Sequence, residues 1–264
     1  MSQNRFLRVR ERKIEYQWFE PLTTEPDRPV IVMLHEGLGS VSLWKDFPAH
    51  LATAASARIV AYSRFGYGES DAPPEPYGVE MHQREALEVL PEVLRQLEID
   101  RPLLFGHSDG ASIAIIYAGT TPRNVAGLVV EAPHVFVEDM CIASIEEARR
   151  TYLTTDLRQR LGRHHGDPDR AFRLWNDVWL DPAFRAWNIE RHLPPITCPL
   201  LAIQGYQDEY GTMEQLDRIA RLVPQTALLK LDQCRHSPHR DQPSAVMRSV
   251  TQWIAGVISY LPPK

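Results

Sequence analysis

Leu103-Leu104-Phe105-Gly106-His107-Ser108-Asp109-Gly110-Ala111 decides the fold. An apolar run, Pro102 to Phe105, leads into Gly-x-Ser-x-Gly, and a helix-forming run, Ala111 to Ala118, follows. The pattern is strand, sharp turn, helix, with a serine at the apex. Such a turn forces its central residue into a strained conformation and lifts the side chain off the backbone. Residues two before and two after the serine pass close together, so Gly106 and Gly110 avoid a β-carbon clash. A helix starting at Asp109 directs amide groups at the serine and favours negative charge there. Gly-x-Ser-x-Gly alone is a weak signal. Its setting between a strand and a helix gives it meaning.

Working outward, the flanks alternate strand and helix. Ile14, Tyr16 and Trp18 alternate with Glu15 and Gln17, which predicts an N-terminal strand paired with Phe6 to Val9. A turn-rich loop, Pro21 to Pro29, precedes the continuous apolar run Val30 to Leu34, expected as a strand buried on both faces. The loop His35-Glu36-Gly37-Leu38-Gly39-Ser40 and a helix over Leu43 to Ala55 come next, then a strand over Arg58 to Tyr62. Arg64-Phe65-Gly66-Tyr67-Gly68-Glu69-Ser70-Asp71 is a second glycine-rich turn. Leu87, Leu90, Leu94 and Leu97 repeat at helical spacing, with Pro91 expected to kink the helix. After the serine segment, Val125 to Val130 reads as a strand. The alternation resumes with a strand at Leu200 to Gln204, a helix at Met213 to Leu222, a strand at Thr226 to Leu231 and a helix at Pro243 to Tyr260. This order predicts an α/β fold with a mostly parallel central sheet and helices on both faces.

Residues 134–195 break the alternation. They carry no strand signal and are rich in Phe136, Tyr152, Phe172, Trp175, Trp179, Phe184 and Trp187. The expected organisation is a core from residues 1–133 and 196–264 with a helical lid (cap) inserted at 134–195. Trp175, Trp179, Phe184 and Trp187 are candidates to line a substrate pocket under that lid, with packing as the competing role.

Composition narrows the class. The chain has 264 residues, 44% hydrophobic and 24% charged, which suits a globular domain with a sizeable core. A net charge of −5 gives no electrostatic footprint for nucleic acid, and clusters such as Arg149-Arg150 are expected on solvated helix faces. Three cysteines, Cys141, Cys198 and Cys234, have no paired spacing, which suits a reducing compartment rather than a disulfide framework. Met1 to Arg12 lacks an apolar signal-peptide core, and Trp253 to Leu261 is too short to span a bilayer. The expectation is a soluble, cytoplasmic protein with no membrane or nucleic-acid partner.

A serine hydroxyl needs a base to remove its proton, and that base needs an orienting carboxylate. In parallel sheets functional groups gather where strands end at their carboxyl edge. Gly205-Tyr206-Gln207-Asp208-Glu209 follows one late strand, and Cys234-Arg235-His236-Ser237-Pro238-His239 follows the other. Ser108, Asp208 and His236 are therefore the candidate catalytic residues, with Glu209 and His239 as rivals for acid and base. His-x-x-His with nearby Asp241 resembles a metal motif, but no second ligand cluster accompanies it, and neither metal nor cofactor is expected. His164-His165 is expected at the surface, and His107 in local packing or hydrogen bonding. Two backbone donors should face a developing oxyanion: the N–H of Asp109 and the N–H of Gly37.

With these residues in place, the sequence resembles the α/β-hydrolase superfamily over nearly its whole length. His35-Glu36-Gly37-Leu38-Gly39 matches the oxyanion loop, Gly106 to Gly110 the nucleophile elbow, and Asp208 and His236 the acid and base positions. The chain is most similar to small bacterial lidded serine carboxylesterases, which implies an acyl-enzyme mechanism on small or moderately apolar esters. A carbon–carbon bond hydrolase, a thioesterase or an acyltransferase shares the same triad, and a ligand-sensing member is the non-enzymatic alternative. Glu36 departs from the glycine usual in that loop. A carboxylate aimed at the hole would repel the oxyanion, so it is expected to turn away or be hydrogen-bonded.

Overall fold

In the computed structural model, which describes residues 5–23 and 28–260, a single eight-stranded sheet runs through the molecule. Its strands are β1 (Arg5–Val9), β2 (Arg12–Phe19), β3 (Ile31–Leu34), β4 (Ile59–Tyr62), β5 (Leu103–His107), β6 (Gly127–Glu131), β7 (Leu200–Gly205) and β8 (Thr226–Leu231). Their spatial order is β1-β2-β4-β3-β5-β6-β7-β8. The two N-terminal strands pair antiparallel with each other, and β2 antiparallel with β4; every other pair is parallel. Residues 24–27 of the turn-rich loop lie outside the described residues.

The helices are α1 (Phe47–Ala55), α2 (Met81–Arg84), α3 (Leu90–Gln96), α4 (Asp109–Thr120), α5 (Asp139–Thr154), α6 (Leu157–Leu161), α7 (Pro168–Trp179), α8 (Glu214–Leu222), α9 (Pro238–Asp241) and α10 (Pro243–Tyr260). Strand alternation divides the core in two. Val32, Leu34 and Leu104 face a layer shared with α3, α4 and the residues between β6 and β7. Ile31, Met33, Leu103 and Phe105 face the layer shared with α1 and α10. All residues of β3, β4, β5 and β6 are buried, so their continuous apolar runs are the signature of strands covered on both faces.

Two helices differ from expectation. The segment expected as one helix over residues 43–55 is a 3₁₀ turn, Val41–Trp44, followed by α1. Lys45 at φ 52° breaks the two apart, and Pro48 sits in the first turn of α1, where its missing N–H costs nothing. Between α2 and α3 the backbone makes a π turn, Glu85–Val89, directly before Pro91. That turn rotates the apolar face, so Ala86, Val89, Leu90, Val93 and Leu94 are buried while Leu87 is exposed.

Residues 139–192, between β6 and β7, form α5, α6, α7 and two 3₁₀ turns, Pro182–Ala186 and Glu190–His192. His165 is a correction to the expected surface position. It is buried, accepts from the Gly68 N–H at 3.0 Å and meets the Leu38 carbonyl at 3.0 Å, which ties this insertion to the loops after β3 and β4. Among the described residues no helix is long and apolar enough to cross a membrane.

Candidate active site

β5 delivers Ser108 to the carboxyl edge of the sheet. The serine adopts φ 53°, ψ −117°, outside the regions that non-glycine residues favour, and α4 begins at the next residue. A β-carbon on Gly106 would meet the Gly110 carbonyl oxygen at 2.4 Å, and one on Gly110 would meet the Leu34 carbonyl oxygen at 2.0 Å. Both contacts are with backbone, so the elbow closes only with glycine at these positions.

Two loops complete the constellation. The turn after β7 carries Asp208 and the turn after β8 carries His236. The His236 Nδ1 lies 2.8 Å from Asp208 Oδ1, and its Nε2 lies 2.9 Å from Ser108 Oγ. Burial opposes ionisation of Asp208, but the His236 ring and the Tyr210 N–H hold its carboxyl below the usual range. An ionised carboxylate can only accept, so Nδ1 carries the proton and Nε2 presents a lone pair to the serine hydroxyl. In this geometry His236 could serve as a base aimed at a nucleophile.

The rivals are placed elsewhere. Glu209 pairs with Arg235 at 3.0 Å. His239 is buried with its Nδ1 2.6 Å from Glu131 Oε2. His107, Glu131 and His239 bring possible ligand atoms within 4.8 Å of one another, but the short His239–Glu131 contact is a hydrogen bond that needs a proton between the atoms. The expected local role of His107 is seen as a bond from its Nε2 to the His236 carbonyl at 2.7 Å.

Glu36 turns to His107 Nδ1 at 3.6 Å and to the Arg240 guanidinium at 3.5 Å. Burial works against its charge, but these partners hold the carboxyl well below its usual range. Gly37 lines the cleft beside Ser108, and a β-carbon on it would lie 2.2 Å from Cδ1 of Trp175. Among the described residues neither the Gly37 N–H nor the Asp109 N–H donates a hydrogen bond.

The cleft is lined by Leu38, His134, Cys141, Ile145, Trp175, Trp179 and Tyr210 together with Glu36, Gly37, Ser108 and His236. Five of these come from between β6 and β7: His134, Cys141, Ile145, Trp175 and Trp179. Of the four aromatic rings expected in the pocket, Trp175 and Trp179 line it. Phe184 and Trp187 do not; they stack on each other at 5.2 Å and pack behind Trp179 and His82. His134 was missed, although it lies just past the end of β6, where the strand-edge rule would have found it. Burial, with His236 nearby, lowers its pKa to about 4, so it is neutral. A second surface groove, lined by Glu146, Arg149, Asp181 and Arg185, contains no serine, threonine, cysteine, lysine or histidine.

A model described as "Alpha/beta hydrolase family" matches residues 31–249, from β3 into α10, which includes every strand that carries the site. The chain belongs to the alpha/beta hydrolase family. It is 26% identical over 191 residues to the serine hydrolase BPHL of Homo sapiens, covering 69% of this chain and 64% of that relative, just under two thirds of its length. It is 24% identical over 260 residues to the sn-1-specific diacylglycerol lipase ABHD11 of Mus musculus, covering 86% and 81%. A crystal structure of the proline iminopeptidase of Mycobacterium smegmatis superposes with a TM-score of 0.80 at 17% identity, covering 97% of this chain and 99% of that one. Family membership and these relatives support a hydrolase; they differ among themselves in the bond they cut.

Proposed function

We propose that this family member is a serine carboxylesterase that cleaves small or moderately apolar esters through an acyl-enzyme. The observation carrying this reading is the unbroken hydrogen-bond chain from Asp208 through His236 to Ser108 at the floor of a cleft. In the proposed mechanism, His236 Nε2 takes the serine proton as Oγ attacks the ester carbonyl. The carbonyl oxygen becomes an oxyanion facing the N–H groups of Gly37 and Asp109. Collapse expels the alkoxide, which receives the proton from His236, and water repeats the sequence on the acyl-serine. Leu38, Ile145, Trp175 and Trp179 make the walls apolar, which suits acyl or aryl groups. Expulsion of water by the residues between β6 and β7 would strengthen the oxyanion contacts.

The test is hydrolysis of p-nitrophenyl acetate and butyrate, with and without a serine-directed phosphonate, followed by mass mapping of the adduct. The expected result is turnover that stops as Ser108 becomes phosphonylated. Labelling elsewhere, or turnover unaffected by complete labelling, overturns the proposal. Because proline iminopeptidases are among the relatives, proline p-nitroanilide belongs in the same panel, and its preferential cleavage would move the reading from esters to amides.

A further inference from the structure

The glycine-rich turn after β4 contributes a residue that the triad does not explain. Arg64 is 1% exposed, buried beneath the site. Its Nη2 donates to the Glu36 carbonyl at 3.0 Å and lies 3.6 Å from Asp109 Oδ2. One guanidinium nitrogen thus reaches both residues whose peptide units border the proposed oxyanion position. We infer that Arg64 is a positioning residue that orients and polarises the two oxyanion donors, an inference resting on the esterase reading above.

The geometry at Glu36 carries the argument. Its carbonyl also accepts from His35 Nδ1 at 2.7 Å, while His35 Nε2 accepts from the Arg64 N–H at 3.0 Å. Those two bonds require the neutral Nδ1–H form of His35. Burial, with Arg64 adjacent, favours it by lowering the pKa to about 3. The described chain contains no cis peptide, so the Gly37 N–H points opposite to the Glu36 C=O. With that carbonyl drawn down onto Arg64 and His35, the Gly37 N–H is turned up, away from the buried side. A cation on the oxygen end of a peptide also makes its N–H a stronger donor, because hydrogen bonds in series polarise one another.

The second donor is held through its side chain. Asp109 Oδ1 accepts from His82 Nε2 and from Trp179 Nε1, each at 3.0 Å, and Oδ2 faces Arg64. Burial opposes its charge, but His82 and Arg64 keep the carboxyl far below its usual range. A fixed Asp109 side chain fixes the first residue of α4, whose N–H is the other donor. Because Trp179 comes from the insertion and Arg64 from the turn after β4, the hole is set from both sides.

The experiment compares wild type with Arg64→Lys, which keeps the charge but not the forked donor, and with Arg64→Gln, which loses the charge. Each is read by kcat, KM and the inhibition constant of an alkyl trifluoromethyl ketone, whose serine adduct carries an oxyanion. Trp44→Phe, which removes a buried indole N–H that has no hydrogen-bond partner among the described residues, is the control. The expected result is a fall in kcat of about tenfold to a hundredfold, below the loss for removing a whole donor. The ketone should weaken in parallel, KM should stay within about twofold, and Lys should retain more activity than Gln. Unchanged kcat and ketone affinity, or a change in KM alone, overturns the inference. If neither Arg64 variant folds, His35→Leu decides, since it removes the other donor to the Glu36 carbonyl and must weaken kcat and ketone binding together. Failure of phosphonate labelling at Ser108 in wild type would overturn the esterase reading instead, which keeps the two failures distinct.

Discussion

At the scale of single residues, the site rests on groups that have no substitute nearby. Ser108→Ala is expected to leave folding intact, because removing one oxygen vacates no packing volume of consequence, and to abolish nearly all ester turnover. Wild-type rates from a folded Ser108→Ala protein would rule out the mechanism. The acid and base can be ranked against their neighbours. His236→Ala should lower kcat by several orders of magnitude, since the members of the proposed triad would act as a unit. His239→Gln should retain most activity per folded molecule, but lose stability, because the buried Glu131 then loses its 2.6 Å hydrogen-bond geometry. Asp208→Asn should cost more activity than Glu209→Gln, since only Asp208 touches His236. Side-by-side steady-state kinetics and melting curves check the order; a reversed ranking would reassign the acid and base. Glu36, the departure in the oxyanion loop, is accounted for at this scale too. Its charge is spent on His107 and Arg240.

At the scale of elements, the segment between β6 and β7 divides its aromatic rings between two tasks. Trp175 and Trp179 line the cleft, whereas Phe184 and Trp187 form a buried stack behind it. Alanine at Trp175 or Trp179 is expected to change the preference among acyl lengths more than the rate on acetate, because the shortest acyl group gains least from the wall. Alanine at Phe184 or Trp187 should instead cost about 3–5 kcal/mol of stability and leave the chain-length profile of the folded fraction unchanged. The measurement is kcat/KM for acetate through octanoate esters, with urea melts on each variant. Identical profiles for all four variants would place substrate choice outside this segment.

At the scale of the whole molecule, the buried histidines make stability depend on pH. Burial brings His35 down to about 3, and His134 and His165 to about 4. Unfolded, each binds a proton below its ordinary value of 6.5. Between these limits the three rings together bind about three more protons in the unfolded state, so their contribution to stability falls as pH falls, by about 4 kcal/mol per pH unit near pH 5. Burial raises the pKa of Glu85, which works against part of this loss. His107 does not offset this, because Glu36 raises its pKa despite burial, leaving it protonated in both states there. Asp208, held below its ordinary value, adds to the loss only nearer pH 4 and below. Urea midpoints at pH 7, 6 and 5 should decline steadily, and His165→Gln should shallow the decline by about one proton. A flat profile would mean that these rings take up protons without unfolding.

What the sequence by itself determined is local or periodic. The elbow was legible because a serine apex at this angle demands glycine two residues either side. The sheet was legible because strands buried on both faces carry runs such as Ile31–Leu34 and Leu103–Phe105, and chain order named Asp208 and His236 because loops at the carboxyl edge of a parallel sheet converge. Only the tertiary structure decided the rest. Leu87 counted as apolar at helical spacing, but a π turn rotated it outward. His165 read as polar and exposed until the Gly68 N–H and the Leu38 carbonyl satisfied both its nitrogens in the interior. Four tryptophan and phenylalanine rings were indistinguishable by composition, and which two met the cleft depended on how α7 crosses over Gly37. Arg64 carried no signal at all, because its role is a relation to a carbonyl 28 positions away in the chain. Periodicity reports which face of an element is buried; it does not report what that face meets, and the chemistry of a site is made of those meetings.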